Sequence, residues 1–170
     1  RLDFQLSQIS PFELIRGLVI DGPEAVANIS GSTAYPSIRG RVYFYQTPLG
    51  VIVVALVSGL PAGRGRCDDR IFAMHIHSGG SCTGTPDDPF AFAEGHYNPG
   101  SCPHPYHAGD LPPLFGNRGL AWSAFLTNRF RVSDVIGKTV IIHGSPDDFT
   151  SQPAGNSGEK IACGVIVRLM

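Results

Sequence analysis

The sequence predicts an all-β domain, an antiparallel sandwich or barrel that carries two long functional loops. Three observations lead there. Seven short segments rich in β-branched and aromatic residues recur between turn signals. No segment sustains a 3.6-residue apolar period beyond a turn or two. The 21 glycines and 14 prolines are scattered rather than repeated, and 42% of the residues are apolar, which fits a folded chain with many turns rather than disorder.

Taken in chain order, residues 1–22 read as an N-terminal extension in which Phe12 to Ile20 forms a short helix or an extra strand without chemistry of its own. Residues 23–170 form the domain. Its first strand is Ala25 to Ser30. Asn28-Ile29-Ser30 fits a glycosylation acceptor pattern, but its place in a strand makes the match a coincidence. Arg41 to Gln46 and Val51 to Val57 flank Thr47-Pro48-Leu49-Gly50, with proline and glycine where a turn needs them, so this pair reads as a hairpin. The remaining strands are Ile71 to His77, Leu120 to Phe125, Thr139 to His143 and Ile161 to Arg168. Between them, Ser78 to Arg118 is rich in Gly, Pro, Ser and Asp and holds three of the six histidines; a loop of that length in a compact domain points to function. A second loop runs from Gly144 to Lys160.

At 170 residues one core suffices. A net charge of −1 argues against nucleic acid as a partner, which usually demands a basic excess, and favours a small substrate. The longest apolar run, Val51 to Val57, is far short of the roughly 20 residues of a membrane helix. The chain shows no signal-peptide pattern, so any leader is expected to have been removed or never included. Cys67, Cys82, Cys102 and Cys163 form an even set without CxxC spacing, which favours disulfides over a thiolate zinc site and a location outside the reducing cytoplasm.

In Met74-His75-Ile76-His77 the two imidazoles are two residues apart, so on a strand both project from one face and are held rigidly. His96, His104, His107 and His143 lie in or beside the two loops, and Asp110 follows His107 by three. Imidazole suits copper and zinc, and a carboxylate suits zinc better than copper. The motifs His75-Ile76-His77, Gly95-His96-Tyr97-Asn98-Pro99, His107-Ala108-Gly109-Asp110, Val135-Ile136-Gly137-Lys138-Thr139 leading to His143, and Gly155-Asn156-Ser157-Gly158 leading to Ala162-Cys163-Gly164-Val165-Ile166 occur in this order. Over about residues 25–168 they resemble the copper/zinc superoxide dismutases, and Cys82 soon after His77 is more similar to the secreted bacterial branch.

The resemblance implies a Greek-key, immunoglobulin-like barrel with copper and zinc as cofactors, superoxide as substrate, an extracytoplasmic location, and a homodimer left open. It implies His75, His77, His96 and His143 as copper ligands, with His96 bridging to a zinc held by His104, His107 and Asp110. Asp147 matches the aspartate that hydrogen-bonds histidines of both metals. Cys82 and Cys163 match the family disulfide, whereas Cys67 and Cys102 have no counterpart and are either a second bridge or free thiols. Lys160 stands where the family carries the arginine that orients superoxide; it keeps the charge but loses the planar fork, which predicts slower turnover. Ala154 falls near a threonine of the family, and the loop from Asp148 to Glu159 is shorter and less charged, which predicts weaker anion steering. His104 and His107 are so close that the zinc loop must turn tightly around Pro105. The implied activity is dismutation of superoxide, with His96 and Lys160 as its catalytic residues; the alternative is a copper-binding or storage module of the same fold with little turnover.

Overall fold

The computed structural model describes residues 10, 12, 13, 16, 21–65, 67 and 70–170. The reading of Phe12 to Ile20 as helix or strand lies outside the described residues for the most part. Among the described residues nine strands form, β1 (Ala25–Gly31), β2 (Arg39–Thr47), β3 (Gly50–Ser58), β4 (Ile71–Phe72), β5 (Met74–His77), β6 (Leu114–Phe115), β7 (Ala121–Thr127), β8 (Thr139–His143) and β9 (Lys160–Arg168), and a short helix, α1 (Val132–Val135), precedes β8. Seven strands make one antiparallel sheet in the order β5-β8-β9-β1-β2-β3-β7, and β4 pairs with β6 in a separate ribbon. Only Ala73 separates β4 from β5, and β6 lies against β7. The ribbon therefore spans the gap between the two edges of the curled sheet, giving the Greek-key barrel that the sequence predicts. Among the described residues no helix is long and apolar enough to cross a membrane.

Alternation divides the two faces. On the inner side Phe44, Met74, Ile76, Val140, Ile142 and Ile166 pack into one core from which water is excluded. The opposite face of β5 and β8 carries different chemistry. His75 pairs with Ile141 and His77 with Thr139 across the ladder, so the period of two puts both rings on one side, joined by His143 two residues beyond Ile141. A register shift at Ile142/His143 ends the regular pairing and frees His143 to turn toward them. Ile141 packs on this face with Phe90, Ala93 and Cys163 in a satellite cluster beneath the first loop.

Two details depart from the sequence expectation. The segment from Ile71 to His77 is broken at Ala73, whose N–H donates to the Ser145 carbonyl and whose carbonyl accepts from the His143 N–H. The stretch from Ser78 to Arg118 is not structureless, since it holds a 3-10 turn at Ala91–Ala93 and strand β6. Its segment 95–110 docks along the outer edge of β5. The N–H of Ile76 donates to Gly109, the N–H of Tyr97 to Ile76, and the N–H of Ser78 to Gly95, each at 2.8 Å. A side chain at position 109 would run into the Ile76 carbonyl, so only glycine allows this approach.

Candidate metal centre

The strand face and the docked loop bring all six histidines into contact. His75 and His96 have ring centroids 4.0 Å apart, His77 and His143 5.4 Å, His96 and His107 5.4 Å, and His104 and His107 5.5 Å. Two sets result, each with one ligand atom per residue and all such atoms within 4.8 Å of one another: His75, His77, His96 and His143 in one, and His96, His104, His107 and Asp110 in the other. His96 belongs to both.

The hydrogen bonds fix which ring nitrogen is free. His75 Nε2 donates to Asp147 Oδ2 at 2.8 Å, His77 Nδ1 to the Glu94 carbonyl at 2.6 Å, and His143 Nδ1 to the Gly158 carbonyl at 3.2 Å. Each neutral ring then turns its other nitrogen, with its lone pair, toward the shared centre. His75 Nδ1 and His96 Nε2 are buried without a hydrogen-bond partner, and His77 Nε2 faces His143 Nε2 at 3.3 Å. Buried imidazole nitrogens that converge without hydrogen-bond partners in the protein are what a metal ion satisfies. The second set repeats this logic. His104 Nε2 donates to Asp147 Oδ1 at 2.9 Å, which leaves Nδ1 near Asp110 Oδ2 at 3.1 Å without hydrogen-bond alignment. Asp110 Oδ1 lies 2.8 Å from His96 Nδ1, and Oδ2 accepts from the backbone N–H of His107. The donor sets fit copper on imidazoles and zinc on three imidazoles and a carboxylate.

Electrostatics keep the three strand rings, His75, His77 and His143, neutral. Burial, reinforced by the neighbouring histidines, lowers His77 to about 2 and His143 to about 3, and it also lowers His75 despite the bond to Asp147. Burial pushes the Asp147 carboxyl up, but the bonds from His75, the Phe149 N–H and His104 outweigh it and hold the group well below the usual carboxylate range. Asp110 is lowered in the same way, with burial opposed chiefly by His96. Asp147 thus straddles the two sets through His75 and His104.

The tight loop from His104 to Asp110 reaches its geometry through supports that sequence reasoning missed. The chain turns at Pro105, where the Tyr106 N–H donates to the Pro103 carbonyl at 2.8 Å. Arg129 Nη1 donates to the carbonyls of Pro105, His107 and Asp110 at 2.9, 3.2 and 3.4 Å. Gln152 clasps His104 by both its backbone groups at 2.9 and 2.7 Å. These contacts go to backbone atoms, so residue type gave no signal for them. Cys82 and Cys163 are bonded, tying the first loop to β9, while Cys67 and Cys102 are free and exposed. The second bridge weighed from the sequence is therefore not made; Cys102 Sγ turns instead toward the Gly100 carbonyl. Lys160 pairs with His143 across β8 and β9, but its ammonium donates to Asp88 Oδ2 at 2.6 Å and the Phe90 carbonyl at 3.3 Å.

A Greek-key barrel bearing two metal pockets that share one imidazole defines the chain as a binuclear metalloprotein. The sequence matches the copper/zinc superoxide dismutase family model over residues 38–166. It is 36% identical over 146 residues to the copper-zinc superoxide dismutase of Deinococcus radiodurans, covering 75% of this chain and 76% of that protein. It is 35% identical over 139 residues to that of Legionella pneumophila, covering 77% and 79%. The fold is similar to the copper/zinc superoxide dismutase of Brucella abortus, with a TM-score of 0.70 at 24% identity over 84% of this chain and 99% of that one. The chain belongs to the copper/zinc superoxide dismutase family.

Proposed function

We propose that the chain converts superoxide to dioxygen and hydrogen peroxide, with copper held by His75, His77, His96 and His143 and zinc held by His96, His104, His107 and Asp110. The observation that carries this reading is the sharing of His96 between two sets of inward-facing ligand atoms. Copper, when bound, supplies a one-electron couple that takes an electron from one superoxide and gives it to a second, while zinc supplies a fixed positive charge behind His96. The residues do the rest. Asp110 anchors His96 Nδ1, and His96 Nε2, buried and without a partner, is the atom on which a proton for the peroxide product can be held. Asp147 fixes the tautomers of His75 and His104. A cavity of about 330 Å³, lined by His143 and by residues between Ser151 and Gly158, including Ala154, gives a small anion access to the first set. Lys160, beside His143, is the site's cation.

The bonded Cys82–Cys163 pair supports action in an oxidising compartment outside the cytoplasm. Copper and zinc content measured together with superoxide dismutation, on wild type and His143→Ala, tests the assignment. Wild type is expected to dismutate superoxide with about one copper per chain, and the variant to lose copper and activity together. A fully loaded wild-type protein that does not turn over overturns the enzyme reading in favour of a copper store.

A further inference from the structure

Lys160 does not point into the cleft through which an anion reaches His143. That cleft is lined by His143 and by uncharged residues between Ser151 and Gly158. The ammonium is bound instead by Asp88 and the Phe90 carbonyl of the first loop. The Lys160 side chain is only 18% exposed, so it has little freedom to leave. Its partner is more exposed, at 43%, but is held by the backbone around it. Asp88 donates its N–H to Thr85 Oγ1 at 3.1 Å, and Asp88 Oδ1 accepts from the Phe90 N–H at 3.1 Å. The segment is tied to β9 by the Cys82–Cys163 bond, three residues from Lys160. An ammonium with a carboxylate at contact distance acts at a distance as a dipole rather than a full charge, so its field at the metal pocket is reduced.

We propose that Asp88 is a positioning residue that sets the anion affinity of the copper pocket by holding the Lys160 ammonium on the loop side, away from the cleft. The proposal rests on the reading of Lys160 as the cation of a dismutase site. Asp88 lowers the pocket's attraction for superoxide twice, by its own negative charge and by the direction in which it turns the lysine.

The test uses protein loaded with copper and zinc and measures azide affinity from the change in the visible spectrum. Azide probes the pocket without turnover, so an inactive protein would overturn the proposed function and leave this measurement intact. Asp88→Asn keeps the Oδ1 acceptor for the Phe90 N–H but removes the charge. It is expected to tighten azide about fourfold: about twofold from the lost carboxylate, and about twofold more as the released ammonium swings toward the bound anion and its contribution at roughly 10 Å rises from about twofold to about fourfold, the range for effective dielectrics of about 80 to 40. In a Lys160→Met background the same change is expected to give no more than about twofold, because only the carboxylate term remains. Asp88→Glu, which retains the charge, is expected to restore most of the wild-type affinity. Equal effects of Asp88→Asn in the two backgrounds, or no effect in wild type, overturn the proposal. Lys160→Met alone is expected to weaken azide by at most about twofold; a larger loss, the mark of an ammonium already facing the cleft, overturns it too.

Discussion

Gly155→Ala tests the link between the two metal pockets without replacing a ligand. Gly155 has φ +67°, and a Cβ there would fall 2.6 Å from Asp147 Cγ and 2.7 Å from His104 Nε2, and nearer still to Asp147 Oδ1. Ordinary carbon contacts lie at about 3.5–4.0 Å, so the carboxylate must retreat by roughly 1 Å. The 2.9 Å bond from His104 Nε2 to Asp147 then stretches beyond hydrogen-bond range. The left-handed backbone costs an alanine about 1–2 kcal/mol and the lost bond to a charged group about 1.5–3 kcal/mol, so the folded state should lose about 3–5 kcal/mol. For a chain of this size that lowers Tm by roughly 10 °C. With His104 no longer oriented, zinc affinity should fall about 10- to 100-fold, measured by competition with a chromophoric chelator. Gly95→Ala, whose added Cβ meets nothing within 4 Å, is the control in the same site. Zinc affinity within about threefold of wild type, together with an unshifted Tm, would refute the claim that the Asp147 bridge orients the second set.

Two further outcomes follow from the same contacts. Cys82 and Cys163 are 81 residues apart, so Cys82→Ser should cost about 4.5 kcal/mol by the loop-entropy relation; urea unfolding that shows a loss under about 1 kcal/mol would remove the bridge from the main supports of the fold. In the metal-free protein His77 is depressed to about 2 and His143 to about 3, below their ordinary value near 6.5. The unfolded chain therefore binds protons that the folded chain refuses, and stability falls as pH falls from about 6.5 toward 3. From pH 7.5 to 5.5 the two rings together should remove about 3 kcal/mol; unfolding curves of metal-free protein that superimpose at the two pH values contradict this.

Much of the metal centre could be read from residue type and spacing. His75 and His77 follow the two-residue strand period, whereas His143 was reached through resemblance, because no spacing says that β8 lies in register beside β5. The loop ligands were reached only through resemblance, because nothing local in the sequence says that Gly109 tucks against Ile76 or that Asp147 reaches both His75 and His104. What stayed hidden acts through backbone atoms or over long separations. Arg129 and Gln152 are recognised by the carbonyls they meet, and carbonyls carry no sequence signature. The charge of Lys160 was evident, but its direction depends on Asp88, 72 residues away. The same limit applies to the fold: β6 has two residues and α1 four, too short for a period to show, and Ala73 interrupts an otherwise uniform strand through bonds to residues 143 and 145.

The docking of segment 95–110 along β5 has a bearing on how the border of the sheet is closed. β5 is an edge strand, paired only with β8 inside the sheet, and Met74-His75-Ile76-His77 carries none of the lysines or prolines that usually keep such an edge from recruiting a neighbour's strand. Here the guard is the ligand loop itself. By pairing Ile76 and Ser78 with Gly109, Tyr97 and Gly95, it occupies the donors and acceptors that another chain would otherwise find. Whatever secures that loop, from Arg129 to the disulfide, also keeps the border of the sheet closed to strangers.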